Sequence, residues 1–197
     1  MTTKDATTIS FYAREAVNYT SRDQAPEIEH LNDFLSRLPE GASILELGCG
    51  AGQDSQYMLD RGFDVTPTDG TPEIAEEAAR LLQRPVPVLL FEDIAAQQFY
   101  DGIWANACLL HVPRPALPSI IGKIHAALKP SGVFYASFKA GNGEGRDKFD
   151  RLYNYPSAQW LREIYEQYNW QQIIIKNMTG SGYDKVPTEW LHVTAFK

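Results

Sequence analysis

The chain has little cysteine, no cluster of histidines, no excess of positive charge and no long apolar run. Its two cysteines, Cys49 and Cys108, lie singly at the expected ends of buried strands. That excludes a disulfide framework and makes both read as small, reduced core residues. Four histidines are scattered, and no Cys/His group has metal-ligand spacing, so no metal is expected. Lys and Arg number 18 against 25 Asp and Glu, a net charge of −7. This lacks the basic surface of a sequence-independent nucleic-acid binder, and no nucleic-acid partner is expected, although a local basic patch stays open. No apolar stretch approaches the roughly 18 to 20 residues that span a bilayer, so no membrane partner is expected. The opening M-T-T-K-D-A-T-T has no apolar signal core, which points to the cytoplasm.

What is present is a mixed-charge sequence of 197 residues with 44% apolar content, the profile of one globular domain over 1–197. A monomer or a homodimer is expected. Apolar runs and helical stripes alternate, as in an α/β protein. Residues 9–22 form a candidate helix with Phe11, Tyr12 and Tyr19 near one face; it is either a packing helix or a lid. Pro26 opens a second helix whose Ile28, Leu31, Leu35 and Leu38 recur at 3–4–3 spacing. Ile44-Leu45-Glu46-Leu47 reads as a buried parallel strand. Gln53 to Arg61 is a helix closed by Gly62. Phe63 to Thr66 is a second strand, and Thr71-Pro72 caps and starts a helix through Gln83. Val86 to Phe91 reads as a third strand at the sheet edge, because Pro87 forfeits a ladder bond. Ile103 to Cys108 and Val133 to Phe138 are the fourth and fifth strands, around a helix ending near Leu128. Residues 139–160 open with a glycine-rich, charged loop, taken as flexible, with Lys139 and Arg146 as candidate anion contacts. Tyr153, Tyr155 and Trp160 are either an aromatic wall or packing for a helix over 157–168. Trp170 to Asn177 and Trp190 to Phe196 are strands joined through a hairpin loop over 178–188, hence antiparallel.

The most informative stretch is Ser43 to Asp54, S-I-L-E-L-G-C-G-A-G-Q-D. A strand, a glycine turn and a helix start make a nucleotide cradle, since glycine admits close backbone approach and a helix N-terminus offers free N–H groups. The dinucleotide fingerprint G-x-G-x-x-G is not met, because Gln53 occupies the place of its third glycine. Glu46, two residues before Gly48, would repel a pyrophosphate. It suits a ligand without phosphate and with positive charge, as S-adenosyl-L-methionine is. A tight turn in some other α/β protein is the plainer alternative.

Glu46, Gly48, Gly50 and Gly52 match E/D-x-G-x-G-x-G position for position, and here the chain resembles the class I S-adenosylmethionine-dependent methyltransferases. Lys129-Pro130-Ser131-Gly132 is similar to that family's turn before strand five, and the resemblance extends over essentially the whole chain. It implies a three-layer Rossmann-like sandwich, with a seven-stranded, mostly parallel sheet and an antiparallel C-terminal hairpin strand. It implies a lid at residues 1–25 whose Tyr12 and Tyr19 meet the cofactor, with Arg14 near its carboxylate, and a substrate-side loop at 139–160. Glu46, Gly48, Cys49 and Gly50 then hold the cofactor at the glycine turn. Asp69, with Gly70 and Thr71, takes the ribose hydroxyls, unless Asp69 is only a turn residue or helix cap. Asp93 and Ile94 meet the adenine, unless that pair is an exposed acidic turn; Glu92 is the neighbouring alternative. Asn106 and Ala107 face the amino-acid tail. His111 contacts the cofactor and is a candidate general base, a pocket wall or a local backbone cap.

The reaction implied is direct displacement of the methyl group from the sulfonium by a small-molecule acceptor. Asn106-Ala107-Cys108-Leu109 stands where amine and nucleic-acid methylating members have N-P-P-Y or D-P-P-Y. The branch most resembled includes small stand-alone enzymes of the tellurite-resistance type and those methylating quinone or other metabolite precursors. A non-catalytic S-adenosylmethionine-binding module and a nicotinamide-dependent reductase are the competing readings.

Overall fold

The computed structural model describes residues 4–22, 25–182 and 186–197. Helix α1 (Ala6–Thr20) starts at Asp5, whose Oδ1 accepts the Thr8 N–H at 2.8 Å and so satisfies a free helix-end donor. α2 (Ile28–Leu35) buries Leu31, Phe34 and Leu35. Five elements follow in strand–helix alternation: β1 (Ser43–Leu47), α3 (Gln53–Leu59), β2 (Asp64–Thr68), α4 (Pro72–Leu82) and β3 (Tyr100–Ala105). Next come α5 (Leu117–Ala127) and the long β4 (Leu128–Lys139), then a short pair, β5 (Gly145–Arg146) and β6 (Leu152–Tyr153). α6 (Ala158–Tyr165), β7 (Gln172–Ser181) and β8 (Pro187–Phe196) complete the chain.

Among the described residues the main sheet has six strands in the order β2-β1-β3-β4-β8-β7. β1 pairs parallel with β2 and β3, and β3 parallel with β4. β8 runs antiparallel to both its neighbours. Side chains alternate across the pleat, which splits the core into two layers. Leu45, Ile103, Phe134 and Phe138 pack in the layer that holds Ile120 and Ile124 of α5 and Leu161 of α6. Ile44, Trp104, Val133 and Tyr135 pack in the other, with Phe34 of α2 and Met58 of α3. This is the expected Rossmann-like three-layer α/β arrangement. The chain leaves β1 for β2 on one side and returns to β3 on the other, which opens a crevice at the carboxyl ends of those strands.

The seventh strand expected over Val86–Phe91 does not form. Pro85 and Pro87 lack the N–H groups a ladder needs, so the segment makes a single parallel bridge, Asp69 to Val88, with the Leu89 N–H on the Asp69 carbonyl at 2.9 Å. The fourth expected strand sits earlier, at Tyr100–Ala105, and leaves Asn106 to Cys108 as a loop over the crevice. The hairpin loop expected over 178–188 is shorter, because β7 continues to Ser181 and β8 begins at Pro187; residues 183–185 lie outside the described residues. The 139–160 segment is more ordered than a flexible loop. It holds the β5–β6 pair, and within it Arg151 is 1% and Asn154 0% exposed.

Candidate active site

The glycine turn is shaped by two close approaches. At Gly48 the backbone has φ +66°, and an added Cβ would stand 2.5 Å from the Cβ of Cys108. Only a bare Cα lets the loop after β3 lie against the end of β1, where the Cys108 thiol donates to the Leu47 carbonyl at 3.0 Å. At Gly50, φ is +56°, and the N–H points across the crevice to Asp69 Oδ2 at 3.2 Å. Asp69 Oδ1 accepts the Thr71 N–H at 2.9 Å. Asp69 thus serves as the turn residue before α4 and keeps lone pairs on both oxygens for a further donor. Burial pushes its carboxyl up to about 6, against the opposing pull of the Thr71 and Gly50 N–H groups.

A cleft follows this turn, lined by Gly48, Gly50, Asp69, Gly70 and Thr71 on one side and Leu89 to Glu92 on another. α1 forms its roof, contributing Tyr12 and Tyr19, whose rings meet edge to face at 5.1 Å. Beyond them opens a larger cavity of about 700 Å³, lined in part by Asn106, Lys139, Arg151, Tyr153, Trp190 and His192. Tyr12, Tyr19, Ala107 and His111 line both spaces and form the wall between them.

The polar contacts of that wall define the state of His111. Its Nδ1 lies 2.6 Å from the Leu152 carbonyl, and its Nε2 3.0 Å from the Tyr12 hydroxyl. A carbonyl oxygen only accepts, so Nδ1 carries the proton and Nε2 is the acceptor. The Tyr12 hydroxyl donates to Nε2 and accepts from Arg151 Nη1 at 2.9 Å. Arg151 in turn grips Asp147 through Nη2 at 2.6 Å and Nε at 3.0 Å. Burial holds His111 down at about 4, with the Leu152 carbonyl opposing and the Arg151 charge assisting, so the imidazole is neutral at pH 7. Burial also pushes the Tyr12 phenol well above its ordinary range, so it remains a donor.

Not every expected residue faces these spaces. Glu46 lines neither. It alternates with Leu45 and Leu47 along β1 and therefore points toward α3, where the Ser55 hydroxyl donates to it. Burial first, and the Asp54 charge second, raise its pKa well above the carboxylate range. Cys49 is buried with Ala75, Ala78 and Val86, and Ile94 sits in the main core. Asp93 is exposed while Glu92 lines the cleft. The residues form a 3-10 turn, Phe91–Asp93, whose tight rotation aims neighbours in different directions. Arg14 is exposed on α1 and lines neither space; Arg22 lines the larger cavity. The Asn106 amide is already engaged, accepting from Ser137 Oγ at 2.6 Å and donating to Asp54 Oδ2 at 3.4 Å. Arg146 pairs with Asp5, the N-cap of α1, at 2.7 Å. Burial raises both thiols well above their ordinary range, which keeps them unreactive. Among the described residues no group of three or more His, Cys, Asp or Glu is placed to hold a metal, and no helix is long and apolar enough to cross a membrane.

Comparison with known proteins adds the family. A family model described as a methyltransferase domain matches residues 19–173, most of the chain. The protein belongs to this methyltransferase family. S-adenosylmethionine is the cofactor of this class. The methyltransferase is 36% identical over 107 residues to a ubiquinone biosynthesis O-methyltransferase of Xanthomonas axonopodis, a match covering 50% of this chain and 44% of the relative. A Xylella fastidiosa protein of the same name is 35% identical over 115 residues, covering 53% and 46%. The matched part therefore spans less than half the length of these curated relatives. Among solved structures, the 1,6-didemethyltoxoflavin-N1-methyltransferase of Burkholderia thailandensis superposes with TM-score 0.77 at 24% identity, covering 98% of this chain and 88% of its own. A Methanosarcina mazei methyltransferase gives 0.73 at 18% identity, covering 87% and 97%. At such identities the structural likeness speaks for the fold.

Proposed function

We propose that this methyltransferase transfers a methyl group from S-adenosylmethionine to a hydroxyl oxygen of a small-molecule acceptor. One observation supports this reading above the others: a cleft and a separate cavity share one wall, and that wall holds a neutral histidine with an unprotonated nitrogen. When bound, S-adenosylmethionine supplies a methyl group on a good leaving group. The chain's own residues have four tasks. Gly48 and Gly50 bring bare backbone to the adenosyl part, and Asp69 accepts from the ribose hydroxyls. Gly70 and Thr71 lie beside that sugar, and Glu92 replaces Asp93 as the acid on the adenine side. Tyr12, Tyr19 and Ala107 hold the reacting groups in line and exclude water. His111 Nε2 accepts the acceptor's hydroxyl proton, once the Tyr12 hydroxyl yields that place. The names of the curated relatives support oxygen as the methylated atom.

The partly aromatic cavity between β6, β8 and the β7 end, open to solvent on one side, favours a molecule of metabolite size. Gln53 in the place of the third glycine of the dinucleotide fingerprint weighs against the reductase reading. The test is incubation with methyl-labelled S-adenosylmethionine and a panel of phenols and catechols. Label is expected in the acceptor. Tight cofactor binding with no transfer to any acceptor would leave a regulatory module instead. Binding of a nicotinamide cofactor in preference would overturn the reading altogether.

A further inference from the structure

Asn154 is fully buried, with 0% exposure, and lies outside the cofactor cleft. Its contacts converge on one short target. Nδ2 donates to the Leu109 carbonyl at 2.9 Å and to the Val112 carbonyl at 3.0 Å. Its backbone N–H donates to the Leu110 carbonyl at 2.8 Å. These three carbonyls belong to the 3-10 turn Leu109–His111 and to the residue after it, the segment that presents His111. The amide oxygen, by contrast, has no partner. Buried polar atoms are rarely left unpaired, so the side chain is held here by its donors alone.

The same stitching sets the histidine's orientation. His111 Nδ1 donates to the carbonyl of Leu152, two residues before Asn154. If the Asn154 contacts fix segment 152–154 against segment 109–112, they also fix the acceptor that selects the tautomer. Arg114 Nη1 holds the Asn154 carbonyl at 2.9 Å and ties the segment to the start of α5. We propose that Asn154 is a positioning residue for methyl transfer: its side-chain N–H pair clasps the turn bearing His111 and so holds Nε2 toward the Tyr12 hydroxyl, within the wall between the two spaces. The proposal rests on the reading of His111 as the proton acceptor.

The experiment uses the full chain and two substitutions. Asn154→Leu removes both donors and the unpaired oxygen at similar size. Asn154→Ser retains one donor, which reaches fewer of the carbonyls. Two readouts are taken on each folded variant. The first is kcat at saturating cofactor, set against cofactor Kd. The second is the nitrogen-15 signature of the His111 ring, which reports the tautomer without any turnover. The charged and titratable groups facing that ring are Tyr12 from α1, Arg151 and Asp147 from the hairpin, Tyr153 from β6 and Lys139 from β4, and all are retained.

Asn154→Leu is expected to lower kcat by ~10- to 100-fold, the loss that misplacing a reacting group by about an ångström brings. Cofactor Kd should change by less than about threefold. The ring should lose its single Nδ1–H form, and Asn154→Ser should fall between Leu and wild type. A folded Leu variant with wild-type kcat and tautomer would overturn the proposal. So would a parallel fall of kcat, cofactor affinity and melting temperature in both variants, since that marks a general packing role. If the tautomer shifts while the wild type itself methylates nothing, the positioning stands and the proposed reaction fails.

Discussion

The cleft at the glycine turn and the larger cavity beyond it differ in how the chain builds them. The floor of the cleft is made by short local motifs, the glycine turn after β1, Asp69 after β2 and the turn at Phe91–Asp93, and α1 closes it from above. The cavity is assembled from distant pieces, namely helix α1, the β5–β6 hairpin and the facing ends of β7 and β8. The Tyr12–His111 contact joins residues 99 apart in sequence, and the Arg151–Tyr12 contact residues 139 apart. The two regions should therefore fail separately when residues in one are changed.

The largest separation is expected at their shared wall. His111→Ala should lower kcat by ~100-fold or more, the usual contribution of a general base. Cofactor affinity, measured by calorimetry, should stay within about threefold of wild type. A variant that loses binding and turnover together would merge the two regions. Asp69→Ala acts on the opposite side. It should weaken cofactor binding by at least about tenfold, since two charge-assisted hydrogen bonds to the ribose are lost. kcat at saturating cofactor should change little.

pH separates the regions next. Burial places the Asp69 carboxyl at about 6, so it is protonated below that pH and accepts hydroxyl donors poorly. Cofactor affinity should fall by roughly tenfold per unit as pH drops below 6. His111, held at about 4, stays neutral across the same window, so kcat at saturating cofactor should stay flat from pH 8 to 5. An acidic limb in kcat near 6.5, the ordinary histidine value, would contradict the buried neutral imidazole. The smallest effect is expected at the outer latch, where Arg146 meets Asp5 at 2.7 Å on an exposed surface. Arg146→Ala should cost less than ~1 kcal/mol in thermal unfolding and leave kcat intact, because the buried Arg151–Asp147 pair carries the inner contact.

The same contrast explains what the sequence allowed to be read. Strand–helix alternation and the glycine turn are local patterns, so the sandwich and the cleft were legible down to Gly48, Gly50 and Asp69. Where local reading failed, a neighbouring physical constraint intervened. Two prolines suppressed the expected strand at Val86–Phe91. Pleat alternation turned Glu46 toward α3 and away from the ligand space. A 3-10 turn puts Glu92 in the lining of the cleft and leaves Asp93 exposed. Arg151 and Asn154 gave no signal, since each is one polar residue in a stretch read as loop, and their meaning lies in partners far along the chain. Asn154 is recognisable only once its donors are seen to meet the carbonyls around His111.

The most direct measurement is a crystal structure of the protein with S-adenosylhomocysteine and a phenolic acceptor. The account predicts the adenosyl group in the cleft beside Asp69, the sulfur against the wall of Tyr12, Tyr19 and Ala107, and the acceptor oxygen within ~3 Å of His111 Nε2. An acceptor seated away from His111, with the Tyr12–His111 hydrogen bond still closed, would contradict it.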